Sequence, residues 1–199
     1  ISMHNKTLTT DRRTRKRQAR IEHILDTAMT VVAREGVDGF SLHKLANELD
    51  LTVGAFYRYF PSKMALIGAL EIRVIEAFGA EFQEAVERFD AQHENLDCPA
   101  IALARIMVLT DVYRFNSHQH PERTTLIGHI LASPNHVLEA NIAQLVLEKM
   151  VVTLSVVGTT LAHAVTTKAI ESGRVLERAV LVWTSTRGVI HIEKLERHD

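Results

Sequence analysis

The chain has 199 residues, of which 46% are hydrophobic and 24% charged, with a formal net charge of −1. That length suits one compact domain or two small ones that share helices, and the composition is that of an ordinary soluble globular protein. One cysteine, Cys98, excludes an internal disulfide framework and any zinc site built from several thiolates.

Glycine and proline are scarce, at 9 and 4 residues, which favours long helices over many short strands. The most apolar stretch, residues 146–157, is interrupted by Glu148, Lys149, Thr153 and Ser155. No uninterrupted apolar run therefore reaches membrane-spanning length. The N-terminus is polar and basic, without an apolar signal segment. A cytoplasmic protein with no membrane partner is expected, and the single cysteine fits a reducing compartment.

The small net charge hides an asymmetry. Residues 1–63 carry 11 Lys/Arg against 7 Asp/Glu, and residues 64–199 carry 12 against 17. A basic front end suits a polyanion.

In chain order, residues 3–11 lack an apolar period and are expected to be disordered. Residues 1–14 are read as a flexible basic arm. It ends in the run Arg12-Arg13-Thr14-Arg15-Lys16-Arg17, with Arg20 just beyond. Such a run is either a solvated tail or a phosphate- or groove-binding arm. Its position directly before the first helix favours the second.

The spacing of Ile21, Ile24, Leu25, Ala28 and Val32 predicts a helix over 15–35, closed by Gly36 as a left-handed cap. Ser41 is placed to cap a second helix with an apolar stripe of Leu42, Leu45, Ala46 and Leu49. A tight turn at Asp50-Leu51 follows. Thr52 then caps a third helix that stops at Pro61.

Ser62 caps a long fourth helix with Ile67, Leu70, Val74, Phe78 and Phe82 on its buried side and a bend expected at Gly79. Pro99, Pro121 and Pro134 start helices over 99–117, 121–132 and 134–171. The last of these is expected to break near Gly158. A turn at Ser172-Gly173 leads to a final helix over 175–195. No strand alternation or internal repeat is present. The fold class is therefore all-α. Residues 15–62 are expected to form a three-helix, helix-turn-helix DNA-binding domain, and residues 63–199 a C-terminal helical domain, for which the resemblance given below implies ligand binding and dimerisation.

Residues 41–63 act as one unit, SLHKLANELDLTVGAFYRYFPSK. Phe56 and Phe60 pack inward, while small residues at the start of the third helix allow close approach to a major groove about 12 Å wide. This unit resembles the TetR family of transcriptional regulators. The match is carried by Leu45-Ala46, Leu49, Leu51-Thr52, Phe56-Tyr57-Arg58-Tyr59-Phe60 and Ser62-Lys63, with Ile24, Ala28, Ala33, Glu35-Gly36 and Phe40-Ser41 before them.

Three positions depart from the family pattern. Asp50 stands where a glycine is usual, Tyr59 replaces the commoner histidine, and Lys44 sits where a small or apolar residue is frequent.

The resemblance implies phosphate contacts by Ser41, Thr52, Arg58, Tyr59 and Lys63. It implies a groove-facing set of His43, Lys44, Val53, Gly54, Ala55 and Tyr57. Tyr57 reads equally well as a core aromatic with its hydroxyl at the surface. The resemblance also implies a homodimer on a palindromic double-stranded operator, paired through the last helices. There Leu181, Trp183, Gly188, Ile192 and Leu195 lie on the final helix.

It further implies a small apolar or amphipathic effector within the C-terminal helices. The candidate lining is Phe78, Phe82, Met107, Tyr113, Phe115, His129, Met150, His163 and Trp183. Any one of these also fits an ordinary core position. The eleven histidines form no metal-spaced pair, so neither a metal site nor a cofactor is expected. No nucleophile–base arrangement or phosphate-cradling glycine loop is present, so an enzyme is not expected. The expected function is a dimeric repressor released from its operator by an effector. The alternative is a helical small-molecule-binding protein with a vestigial head.

Overall fold

The computed structural model describes residues 2–93, 97–132 and 139–196. Among them are helices α1 (Ser2–Gly39), α2 (Leu42–Glu48), α3 (Val53–Phe56), α4 (Lys63–Gln92), α5 (Pro99–Gln119), α6 (Pro121–Ala132), α7 (Ala140–Thr166) and α8 (Val175–Glu196), and no strand. The chain is all-α, with a helix-turn-helix head followed by a helical body.

Helix α1 begins well before residue 15, so the expected arm is helical and residues 12–19 are exposed on it. The cause is local: residues 12–20 are mostly strong helix formers and contain neither glycine nor proline. Near its other end, Gly36 takes φ 73° and ψ 172°, which interrupts the helix where a left-handed cap is expected. Phe40 then folds back into the core, 3% exposed.

The head core is built from Ile24, Ala28 and Val31 of α1, Leu45 and Ala46 of α2, and Phe56 of α3, all fully buried. Phe56 stacks on Phe60 with ring centroids 5.9 Å apart. Burying a phenylalanine contributes ~1.5–3 kcal/mol. Helix α3 is shorter than the apolar pattern suggests. Its last turn tightens through bonds from the Tyr59 and Phe60 amides to the Phe56 carbonyl, at 2.8 and 3.2 Å, ahead of Pro61. The caps form at both expected hydroxyls: Thr52 accepts from the Ala55 amide at 3.1 Å and Ser62 from the Ala65 amide at 2.9 Å. Ser41 occupies the N-cap position of α2 but makes no side-chain capping bond.

Helix α4 spans 30 residues and packs on α5, α6 and α7, and on α1 of the head. Gly79 is a contact site rather than a bend. A Cβ there would lie 2.8 Å from Thr153 Oγ1, and that hydroxyl donates to the Ile75 carbonyl at 3.0 Å. The glycine therefore lets α7 approach α4 closely. Helix α7 runs through Gly158 without a break. The start expected at Pro134 lies outside the described residues.

By length and composition α7 is apolar enough to cross a membrane, with 27 residues that include an 18-residue stretch of mean hydropathy 1.6. The interruptions at residues 148, 149, 153 and 155 do not prevent this, contrary to the sequence-based expectation. In the structure α7 packs within the bundle, against α4, α5 and α8. Two of its polar residues serve that packing: Thr153 bonds to α4, and Lys149 Nζ pairs with Glu76 Oε1 of α4 at 2.6 Å.

Asp50 adopts φ 51°, the left-handed region that costs an L-residue with a Cβ about 1–2 kcal/mol, less for Asp. Asp50→Gly is therefore expected to hold or raise the melting temperature. Asp50→Val should lower stability by about 1–2 kcal/mol. Thermal unfolding followed by circular dichroism checks the pair, and equal melting points for the two variants would contradict it.

Candidate nucleic-acid interface and effector cavity

Residues 41–59, from the start of α2 to just past α3, carry most of the expected groove-facing and phosphate-contact residues. His43, Thr52, Gly54, Tyr57 and Arg58 are exposed, and Ser41, Val53, Ala55 and Tyr59 are half-buried. A Cβ at Gly54 would meet nothing within 4 Å, so open space lies over that point. Tyr57 is 48% exposed, with its ring edge against Phe56 at a centroid distance of 6.2 Å. Its ring is thus at the surface, resting on the core. Tyr59 packs against the head core.

Two lysines of the expected contact set bond within the head. Lys63 Nζ donates to the Phe40 carbonyl at 2.7 Å and lies 5.7 Å from the centroid of the Phe40 ring. It therefore ties the start of α4 to the α1–α2 junction. Lys44 Nζ bonds to Glu35 Oε2 at 2.8 Å. Lys44 first, then Arg34, hold the Glu35 carboxyl below the ordinary carboxylate range. Lys44 is thus part of an ion-pair cluster with Glu35 and Arg34. The sequence missed one further role. Arg20, from the basic run, reaches 29 residues ahead to donate to the Leu49 carbonyl at 3.2 Å, bracing the turn. No local spacing signals that contact.

In the body, Phe78, Phe82, Tyr113, Met150 and Trp183 come together. With Ile75 and Leu154 they line two adjoining apolar cavities of about 160 and 80 Å³. Phe78 stacks on Tyr113 at 5.6 Å, and Trp183 meets Tyr113 edge-on at 6.4 Å. His129 instead lines an open groove of about 700 Å³ between α5, α6 and α8.

Three other candidates fall away from the cavities. Met107 and Phe115 are 65% and 62% exposed. They stand six residues before and two after the inward Tyr113, offsets that turn a helical side chain to the far face. His163 pairs with Asp97, Nε2 to Oδ1 at 3.0 Å. Among the described residues no group of three or more His, Cys, Asp or Glu is placed to hold a metal.

Glu71 of α4 is a buried acid that the apolar pattern passes over. It has no solvent exposure, its Oε1 lies 4.0 Å from His129 Nδ1, and burial pushes its carboxyl up to about 7. The available signal was its spacing, four residues after Ile67 within the buried stripe.

A helix-turn-helix head on a helical bundle that encloses an apolar cavity defines the class. Residues 24–70 match the family described as bacterial regulatory proteins, tetR family. That match covers the helix-turn-helix head and the start of α4, about a quarter of the chain.

Among curated proteins it is 33% identical over 76 residues to the HTH-type transcriptional repressor KstR of Mycolicibacterium smegmatis, covering 38% of this chain and 32% of that one. The chain thus spans about a third of the length of the curated relatives it matches. Among solved structures, a protein of unknown function from Rhodococcus sp. RHA1 superposes with a TM-score of 0.67 at 22% identity, over 87% of this chain and 82% of that one. FadR from Bacillus subtilis in complex with stearoyl-CoA superposes with a TM-score of 0.61 at 15% identity, over 88% of each chain. At these identities the two structures show a shared fold.

An acid whose folded pKa is raised binds more protons folded than unfolded. Glu71 should therefore make stability fall as pH rises from the ordinary carboxylate range to about 7. At ~1.4 kcal/mol per tenfold in proton affinity, the loss is about 3 kcal/mol. Glu71→Gln should remove that slope and be the more stable protein at pH 8. Denaturant unfolding across pH 4–8 tests this, and parallel curves for the two proteins would refute it.

Proposed function

We propose that the chain is a sequence-specific DNA-binding transcriptional regulator, a dimeric repressor released from a palindromic operator by a small apolar or amphipathic effector. The observation that carries this reading is the outward surface of residues 52–59, set on a core that also reaches the apolar cavity. The exposed Thr52, Tyr57 and Arg58 offer donors to phosphate oxygens. Gly54 and Ala55 leave room for the groove wall, so methyl contact and DNA shape carry much of the sequence preference.

Dimerisation rests on exposed apolar residues of the last two helices. Leu147, Val151 and Val152 of α7 and Leu181 and Ile192 of α8 are 57–66% exposed. An apolar patch of this kind marks an interaction surface. Gly188 faces the open groove instead, where a Cβ would meet nothing within 4 Å. Two-fold pairing would space the heads for two half-sites.

The vestigial-head alternative draws on Lys44 and Lys63, both held by the head itself. Selection of bound DNA from random sequence separates the two readings. The regulator reading expects an enriched palindrome, and recovery of no enriched site would favour the alternative. Val53 or Tyr57 substitutions should then alter sequence preference, whereas Arg58→Ala should weaken binding to all sites alike. The Leu181→Asp, Val151→Asp double variant should run as a monomer in light scattering and lose cooperative operator binding. A dimer of undiminished stability would place the interface elsewhere.

A further inference from the structure

Tyr113 stands between the apolar cavities and the open groove. It lines both cavities and the groove, and Trp183 meets its ring edge-on at 6.4 Å. On one side the surroundings are hydrocarbon: Phe78, Phe82, Met150 and Leu154. On the other the groove presents Thr124, Thr125, His129, Arg187 and His191. The cavities are apolar throughout, and the adjoining groove adds hydroxyls, imidazoles and one guanidinium to a mostly apolar wall.

Arg187 is held in an unusual way. Its guanidinium lies 5.5 Å from the centroid of the Trp183 ring. Its other side rests against α6 at Gly128, where a Cβ would fall 2.6 Å from Nη2 and 3.0 Å from Cζ. No carboxylate among the described residues pairs with it. The acid on the same helix, Glu193, is turned instead to His118 at 3.1 Å and Arg114 at 3.6 Å. A guanidinium stacked on an aromatic face keeps its in-plane N–H edge for a bidentate carboxylate or phosphate. Here that edge lies in the groove, which shares Tyr113 with the apolar cavities.

We infer that the effector is an anionic amphiphile, its charged head on Arg187 in the groove and its hydrocarbon chain passing Tyr113 and Trp183 into the cavity. This rests on reading the bundle as an effector-binding domain. The arrangement orients the ligand. A charged head cannot enter the hydrocarbon end without a large desolvation cost, and the chain gains by leaving water. A cationic head would meet Arg187 as a like charge, and a neutral one would forgo the anchor.

Chain length follows from volume. The cavities hold about 160 and 80 Å³. At roughly 30 Å³ per water-sized group, they take a chain of about eight carbons. A free carboxylate and a phosphate-bearing acyl conjugate present the same chemistry to this site.

Trp183 is the only tryptophan in the chain, so its fluorescence reports from the throat itself. The full chain is titrated with octanoate, octanoyl-CoA, octanol and octylamine, each below its micelle concentration. At least one of the two anions should bind saturably and at least tenfold more tightly than octanol or octylamine. The tighter anion identifies the source.

Arg187→Gln should weaken the anion at least tenfold and leave octanol unchanged. Gly128→Ala, which displaces the guanidinium, should act in the same direction, and Arg187→Lys should recover part of the loss. Melting curves matching the parent show that the variants are folded. Octanol or octylamine binding as tightly as the anions, no saturable binding of either anion, or unchanged anion affinity in folded Arg187→Gln would each overturn the assignment. Anion binding that leaves DNA affinity untouched would instead overturn the release mechanism and leave the ligand assignment standing.

Discussion

A single apolar core joins the head to the body, and α4 is the helix that carries it across. Ile24, Val31 and Phe56 at one end and Phe78, Phe82, Tyr113 and Ile190 at the other belong to one connected cluster. Leu66, Ile67 and Leu70 of α4 lie toward the head end of that cluster, and Phe78 and Phe82 line the cavities. Interiors packed at crystal density do not deform smoothly, so a change in cavity filling must shift whole helices. The Asp26–Arg73 ion pair also spans the junction at 2.6 Å, but both side chains are substantially exposed. Such a pair contributes about 0–1 kcal/mol. Packing, not charge, is the stronger link between the two parts.

Local chemistry was legible in the sequence, and long-range chemistry was not. The caps at Thr52 and Ser62, the helix starts at Pro99 and Pro121 and the left-handed Gly36 each depend on a few neighbouring residues, and each appears in the structure. The inward aromatics Phe78 and Phe82 followed from a period of 3.6 residues. Met107 and Phe115 failed as cavity residues because residue type outweighed phase: both are large and apolar, and both face away from Tyr113. Lys63, Lys44 and Arg20 are each held by a partner 9 to 29 residues away, which no local pattern signals. Glu71 stayed hidden because its apolar neighbours dominate the pattern.

The division of labour in the body follows from which groups are already engaged. Glu81, Asn116 and Arg123 bond one another and lock α4, α5 and α6 together beside the head. Arg187, at the far side of α6, is instead held by a ring and a bare stretch of backbone. One cluster is internally satisfied and rigid, and the other has its charge turned outward beside a cavity. A ligand seated at the second cluster touches α8 and α6 together, and α6 packs directly on α1.

The central claim is that cavity occupancy and DNA binding are linked through this shared core. Linkage is reciprocal, so it can be read from the ligand side alone. The most direct measurement is a Trp183 fluorescence titration with the tighter-binding octanoyl anion, run without DNA and again with saturating selected operator. Release by the effector predicts ligand affinity at least about fivefold weaker in the presence of operator. Equal affinities with and without DNA would contradict it.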